Sequence, residues 1–202
     1  MEIIQNEHIY EQEDFSGLDL TDEELCKVRF KKCSFKGTRL SGMHAAGCVF
    51  EECDFSFARL NDCFLEGGGF LNCTFQGASL FAAELSGCKC TGSSFCGADL
   101  TALTLSGGDY SFTNFNGSDL HGWDLHGIKL EHAFLQNCDL SKADFRKSDL
   151  SYAVLSGSNL EKADLRGAEM KGIDFRSLRL KNTRIDPVQA IQVAESFGCT
   201  CR

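Results

Sequence analysis

The chain has 202 residues, a formal charge of -9 and a pI near 5.0, which argues against binding nucleic acid through a basic surface and leaves open a partner that is itself basic. Its hydrophobic content of 43%, with 17 Phe and a single Pro, is enough for an ordered core. No apolar run approaches the roughly 18 residues of a membrane span, and the N-terminal MEIIQNEHIY has neither the basic start nor the apolar stretch of a signal peptide. A cytoplasmic location follows, in which the 12 Cys stay as thiols.

Residues 1–14 are a lead-in whose Ile3, Ile4, Ile9 and Tyr10 are available to cover the first coil of what comes next. From Phe15 to Ile185 every fifth residue is one that a protein interior accepts: Phe15, Leu20, Leu25, Phe30, Phe35, Leu40, and on to Phe175, Leu180 and Ile185. A helix has a period of about 3.6 and a strand about 2. A strict five therefore requires a repeating unit that turns a corner each time. Two residues before most centres stands a small residue, as at Cys33, Cys53, Ala58, Ala98, Ala143 and Ala163, while Leu103, Trp123, Ile128, Ile173 and Leu178 are large there. Residues two apart in an extended segment point the same way, so both face inward. The residue between them faces out and is often Asp or Asn.

Sorting the centres by twenty gives Leu20, Leu40, Leu60, Leu80, Leu100, Leu120, Leu140, Leu160 and Leu180 in one column, and a column of mostly Phe beginning at Phe15. Such sorting requires four pentapeptides per coil, with residues twenty apart stacked. The 35 centres from Phe15 to Ile185 then make about 8.75 coils, or a rod about 42 Å long. The aromatic columns can stack along it. Ala45 is a small centre, and Met43 is placed to fill the space.

Beyond Ile185, the segment from Asp186 to Gly198 reads as a helix. Asp186 is the N-cap, Pro187 the first helical residue, Gln189 the capping-box partner and Gly198 the stop. Its apolar Val188, Ile191, Ala194 and Phe197 exceed what a cap needs and form a candidate homodimer interface. The organisation is thus 1–14 lead-in, 15–185 repeat, and 186–202 capping or dimerisation helix and tail.

The segments ADLTA, SDLHG, CDLSK, ADFRK, SNLEK and ADLRG match the A(D/N)LXX consensus, and the chain resembles the pentapeptide-repeat family from Phe15 to Ile185. The resemblance implies an all-β fold, a right-handed quadrilateral parallel β-helix, here with a short C-terminal α-helix. The helix entry from Asp186 to Ala190, together with the length of the repeat, is similar to the Qnr and MfpA group. That group dimerises through its C-termini, imitates B-form DNA, and binds DNA gyrase or topoisomerase IV, in some members protecting it from quinolones. The unbroken frame matches the MfpA-type members, which lack protruding loops.

Up to Leu125 the chain carries 19 acidic and 8 basic residues, and from His126 to Asp186 it carries 9 and 11. In a rod, the first part holds about one net charge per 2.5 Å, against about 1.7 Å for duplex DNA. Asp54, Asp99, Asp109, Asp119 and Asp124 are the candidate DNA-mimicking surface, while Lys129, Lys142, Arg146, Lys147, Lys162 and Arg166 lie toward the dimer centre. Outward Asp also keeps any such rod soluble, so a scaffold with a non-topoisomerase partner is the alternative reading.

No catalytic, cofactor or metal constellation emerges. His8, His44, His121, His126 and His132 are scattered, and the carboxylates face solvent with no cleft to shift them. Cys33, Cys53 and Cys73 read as small core fillers. Cys199 and Cys201 form a C-x-C in the tail, and Cys26 and Cys96 sit just after centres, where they are accessible.

Overall fold

Within each part of the chain residues twenty apart pair, and the pairing is parallel. The computed structural model describes residues 4–200 and divides into two compact units, Met1–Thr113 and Asn114–Arg202. Ile3 and Cys201 lie outside the described residues.

The first unit contains nine three-residue strands: β1 (Ile9–Glu11), β2 (Glu24–Cys26), β3 (Arg29–Lys31), β4 (His44–Ala46), β5 (Val49–Glu51), β6 (Phe64–Glu66), β7 (Gly69–Leu71), β8 (Glu84–Ser86) and β9 (Thr104–Ser106). They form two parallel sheets, ordered β1-β3-β5-β7 and β2-β4-β6-β8-β9. The other two faces are joined by single bridges such as Asp14↔Ser34 and Asp19↔Arg39. The fold is a right-handed parallel β-helix of four faces. Its corners are of two kinds. After Phe15, Leu40 and Leu60, for example, the N–H three residues on bonds back to the centre's carbonyl, as in Leu18 to Phe15 at 3.2 Å. The corner is then a tight turn, and a single bridge remains to the face. At both kinds the N–H two residues after the centre donates to the next coil, as Gly17 to Lys36 O and Lys27 to Ala46 O, but at Leu25 and Phe30 the strand lengthens to three residues.

The corner residue two after each centre from Phe15 to Met170 has a positive φ. Glycine is required where the backbone of the next rung approaches: a Cβ at Gly69, with φ +150°, would lie 1.9 Å from Lys89 O.

The interior of this unit is two aromatic columns in contact. Phe15, Phe35, Phe55, Phe75 and Phe95 stack with centroids 4.8–5.1 Å apart and rings within 9° of parallel. Tyr10, Phe30, Phe50 and Phe70 form the second column, and rings of the two columns meet edge to face, as for Phe30 and Phe35 at 5.2 Å and 81°. Each such pair adds about 0.5–1.5 kcal/mol beyond its buried area. Met43 and Ala45 are both buried, so the small centre is compensated in volume.

Tyr10 stacks on Phe30 within the coil, so pairing begins ahead of Phe15. Ile4 is buried, but Ile9 is 63% exposed and does not cover the coil. The correction follows from strand alternation: Ile9 precedes the inward Tyr10 and must point out.

The second unit repeats the four-faced coil with tight turns after Phe115, Leu120, Leu125 and Leu130, and single bridges such as Asp119↔Asp139 and Asp124↔Asp144. Its centres include Phe115, Leu120, Leu125, Leu130, Leu135, Leu140 and Phe145, all buried. A 3-10 turn at Phe175–Ser177 precedes α1 (Pro187–Ser196). Ile185, the last residue of the five-residue frame, is 36% exposed because the chain leaves the coil for α1 instead of turning another corner.

The described cysteines are free thiols, and most are buried. They imitate the polar small residues of the repeat. Cys63 Sγ donates to Leu40 O at 2.8 Å and Cys73 Sγ to Phe50 O at 3.3 Å, as Thr38 Oγ1 donates to Phe15 O at 2.8 Å. Burial pushes the Cys63 thiol up from an ordinary 9.0 to about 12 and that of Cys88 to about 11. Below pH 9 the folded and unfolded chains both keep these protons. Above it the unfolded chain loses them first, so stability present at lower pH is lost as pH rises toward the folded values. Denaturation midpoints measured across this range should fall with pH, and Cys63→Ala with Cys88→Ala should flatten the decline.

Candidate interaction surface

The outward Asp and Asn of the repeat are built into the corners. Each accepts the backbone N–H of the residue two positions on, an Asx turn that holds the chain as it bends. All five candidate mimic residues are held this way: Asp54 by Ser56 at 2.9 Å, Asp99 by Thr101 and Asp109 by Ser111 at 3.0 Å, Asp119 by His121 at 3.0 Å and Asp124 by His126 at 3.1 Å. Hydrogen bonds from Thr101 hold the Asp99 carboxyl below its ordinary range. That carboxylate keeps its charge while serving the fold.

The five do not share one face. Asp54 bridges Ser34 and Thr74, Asp99 bridges Ser79, and Asp109 bridges Lys89, on three faces of the first unit. Asp54 is also paired with Lys36 at 3.0 Å. In the second unit Asp119 neighbours Asp139 on one face, and Asp124 neighbours Asp144 on another.

Charge differs sharply between the units. Through Thr113 there are 17 acidic and 8 basic residues, and from Asn114 on there are 12 and 12. The second unit neutralises itself locally: Arg146 pairs with Asp144, Arg176 with Asp174 at 2.8 Å, and Arg166 and Arg184 both reach Asp164, at 2.6 and 3.8 Å. The first unit has pairs such as Arg39 to Asp19 at 2.7 Å and Lys32 to Glu52 at 3.8 Å, but its excess carboxylates remain.

The outward side of β2-β4-β6-β8-β9 carries carboxylates that the sequence reading did not single out. In register across it lie Glu24, His44, Phe64 and Glu84, with Glu66 two residues after Phe64 on β6. The His44 and Phe64 rings are 5.1 Å apart, and a depression of about 300 Å³ is lined in part by Asn6, Glu24, Cys26, Ala46, Phe64 and Glu66. Glu24, Glu66 and Glu84 form no ion pair among the described residues. The only signal in the sequence was the recurrence of Glu24, His44, Phe64 and Glu84 at intervals of twenty.

On α1, Asp186 accepts from Val188 N and Gln189 N, both at 3.0 Å, and Gln189 Oε1 accepts from Asp186 N at 3.0 Å, completing the capping box. Gln189 is buried and its Nε2 donates to Leu165 O and Ala168 O, while Asp186 accepts from Gly167 N at 2.9 Å. The same pair thus closes the helix and the end of the coil. Val188, Ile191 and Phe197 are 67%, 45% and 60% exposed, and Ala194 is half-buried. Gly198 takes φ +86° just past the helix, as its stop requires.

His121 Nδ1 lies 2.8 Å from Ser141 Oγ, whose hydroxyl donates to Asp139 Oδ1 at 2.6 Å. No helix of the described residues is long and apolar enough to cross a membrane.

The family of pentapeptide repeats matches residues 33–68, 78–122, 124–161 and 148–182, in 8 copies. The chain belongs to the pentapeptide-repeat family. Among solved structures, this pentapeptide-repeat protein is similar to a trypsin-treated variant of QnrB1, described as a plasmid-mediated fluoroquinolone resistance protein. The TM-score is 0.83 at 24% identity, covering 98% of this chain and 99% of that one. Full-length QnrB1 aligns with a TM-score of 0.58 at 22% identity, covering 95% and 100%. HetL, a pentapeptide repeat protein involved in heterocyst differentiation regulation from the cyanobacterium Nostoc sp. strain PCC 7120, aligns with a TM-score of 0.51 at 26% identity, covering 89% and 86%. No curated protein sequence matches this chain.

Asp164 is the carboxylate on which two guanidinium groups converge, and its side chain is 14% exposed. Asp164→Asn should lower folding stability by about 1 kcal/mol, a cost measurable by chemical denaturation, because it leaves two cations facing a neutral amide. The same change at the exposed Asp174 should cost less.

Proposed function

We propose that this protein is a Qnr-like DNA mimic that binds a type II topoisomerase, DNA gyrase or topoisomerase IV, inhibiting it or protecting it from quinolone-type poisons. The observation that carries the reading is the concentration of the whole net charge on the first unit, presented by a regular β-helix whose rungs repeat about every 4.8 Å. A basic surface built to receive duplex DNA would be attracted to such a surface. The likeness in fold to QnrB1, a fluoroquinolone resistance protein, supports it. The protein acts by binding, without catalysis, at a cytoplasmic target, and does not itself contact nucleic acid. Asp54, Asp99, Asp109, Asp119 and Asp124 contribute charge to the mimic. The exposed Val188, Ile191 and Phe197, with Ala194, join two copies.

A second reading is a scaffold that binds a non-topoisomerase partner. The likeness to HetL, whose described role is in regulating differentiation, favours it.

Purified protein added to gyrase supercoiling and quinolone-cleavage assays should inhibit the first or relieve the second at micromolar concentration. Absence of both effects removes the topoisomerase reading and leaves the scaffold. Sedimentation should find the parent protein dimeric, and Ile191→Glu with Phe197→Glu should make it monomeric. A monomeric parent would reduce α1 to a cap.

A further inference from the structure

The outward side of β2-β4-β6-β8-β9 combines an aromatic floor with uncommitted carboxylates. Its rows are set by the parallel register: Glu24, His44, Phe64 and Glu84 on one, Cys26, Ala46, Glu66 and Ser86 on the other. Small residues surround the two rings, with Ala46 on β4, Ser86 on β8, and Gly47, Gly67 and Gly87 at the corners. The half-buried Phe64 lines the depression of about 300 Å³ together with Glu24, His44 and Glu66. Glu84 lies on the next rung from Phe64, Glu66 on the same strand, and Glu24 beside His44. Unlike the corner aspartates, these glutamates hold no backbone N–H and no cation among the described residues. Lys27, at the corner after β2, is paired with Glu7 at 3.6 Å.

We propose that this face is the docking site for arginine side chains of a protein partner, one guanidinium stacking on Phe64 and His44 while Glu66 and Glu84 accept its N–H groups, and Glu24 taking a second cation. Arginine fits better than lysine on physical grounds. Its planar cation lies flat on an aromatic ring and offers a fork of donors to carboxylates in the same plane, whereas an ammonium is more strongly hydrated and lacks both features. The depression is the size of a side chain, so recognition is of individual residues on a larger partner surface. The identity of that partner rests on the topoisomerase reading; the location of the face and its preference for arginine do not.

The full chain is titrated with tetra-arginine and, separately, tetra-lysine peptide while its NMR spectrum is followed. Saturable shifts should centre on His44, Phe64, Glu66 and Glu84, with tetra-arginine binding about tenfold tighter. Glu66→Gln with Glu84→Gln should weaken tetra-arginine about tenfold. Phe64→Leu, on an outward position, should erase the preference for arginine while keeping lysine binding. Glu11→Gln with Glu51→Gln, the same loss of charge on the β1-β3-β5-β7 face, should change affinity less than about twofold. Equal binding of the two peptides, shifts spread over every acidic face, or equal losses in the two double variants would overturn the proposal. If the shifts localise as stated but gyrase is unaffected, only the partner's identity fails. If gyrase is inhibited yet the peptides bind indifferently, the face fails and the topoisomerase reading stands.

Discussion

Everything in this protein depends on stacking like upon like at the spacing of a parallel β rung. Phe35 lies 4.8 Å from Phe55 with rings 4° from parallel, because their backbones are one coil apart and share one orientation. That spacing suits both the hydrogen-bonded ladder and the offset contact of aromatic rings. It allows no slip: a shift of one residue would turn the stacked Phe outward and the corner Asp inward. The two aromatic columns lock further by meeting edge to face, so neither can rotate without the other.

The outside of the coil is less free than its sequence variety suggests. A backbone that bends every five residues leaves N–H groups at each corner, and the repeat's Asp or Asn accepts them. Acidity is therefore partly a consequence of building corners this way. What distinguishes the first unit from the second is the count of cations, since Arg146, Arg166, Arg176 and Arg184 return the second to neutrality. The negative surface of the first unit is the absence of that compensation, and among the described residues its Glu24, Glu66 and Glu84 hold neither a corner nor a cation.

The end of the coil poses the same problem as the end of a helix, with backbone groups that have lost their neighbours. One pair of side chains meets both needs. Asp186 and Gln189 satisfy each other's helix-terminal groups, and Gln189 turns its amide onto the Leu165 and Ala168 carbonyls. The buried polar contact explains why a glutamine is found where the helix packs on the coil.

The sequence by itself determined the coil. The period of five fixed the corners, the period of twenty fixed the four faces, and the segregation of Leu from Phe named the columns, because identical residues stacked at one rung spacing leave a record in the chain. It also determined the entry and exit of α1, since capping chemistry is local to Asp186, Gln189 and Gly198. Only the tertiary structure decided which carboxylates are committed. Asp54 and Glu66 are both outward acids in the sequence, yet one holds a corner and a lysine while the other holds neither. It decided as well that Glu24, His44, Phe64 and Glu84 form one row beside Glu66 over a shallow depression, and that Gln189 reaches back more than twenty residues. Those outcomes depend on which side chains meet across rungs. A pattern that specifies the inward positions leaves the outward ones free to differ.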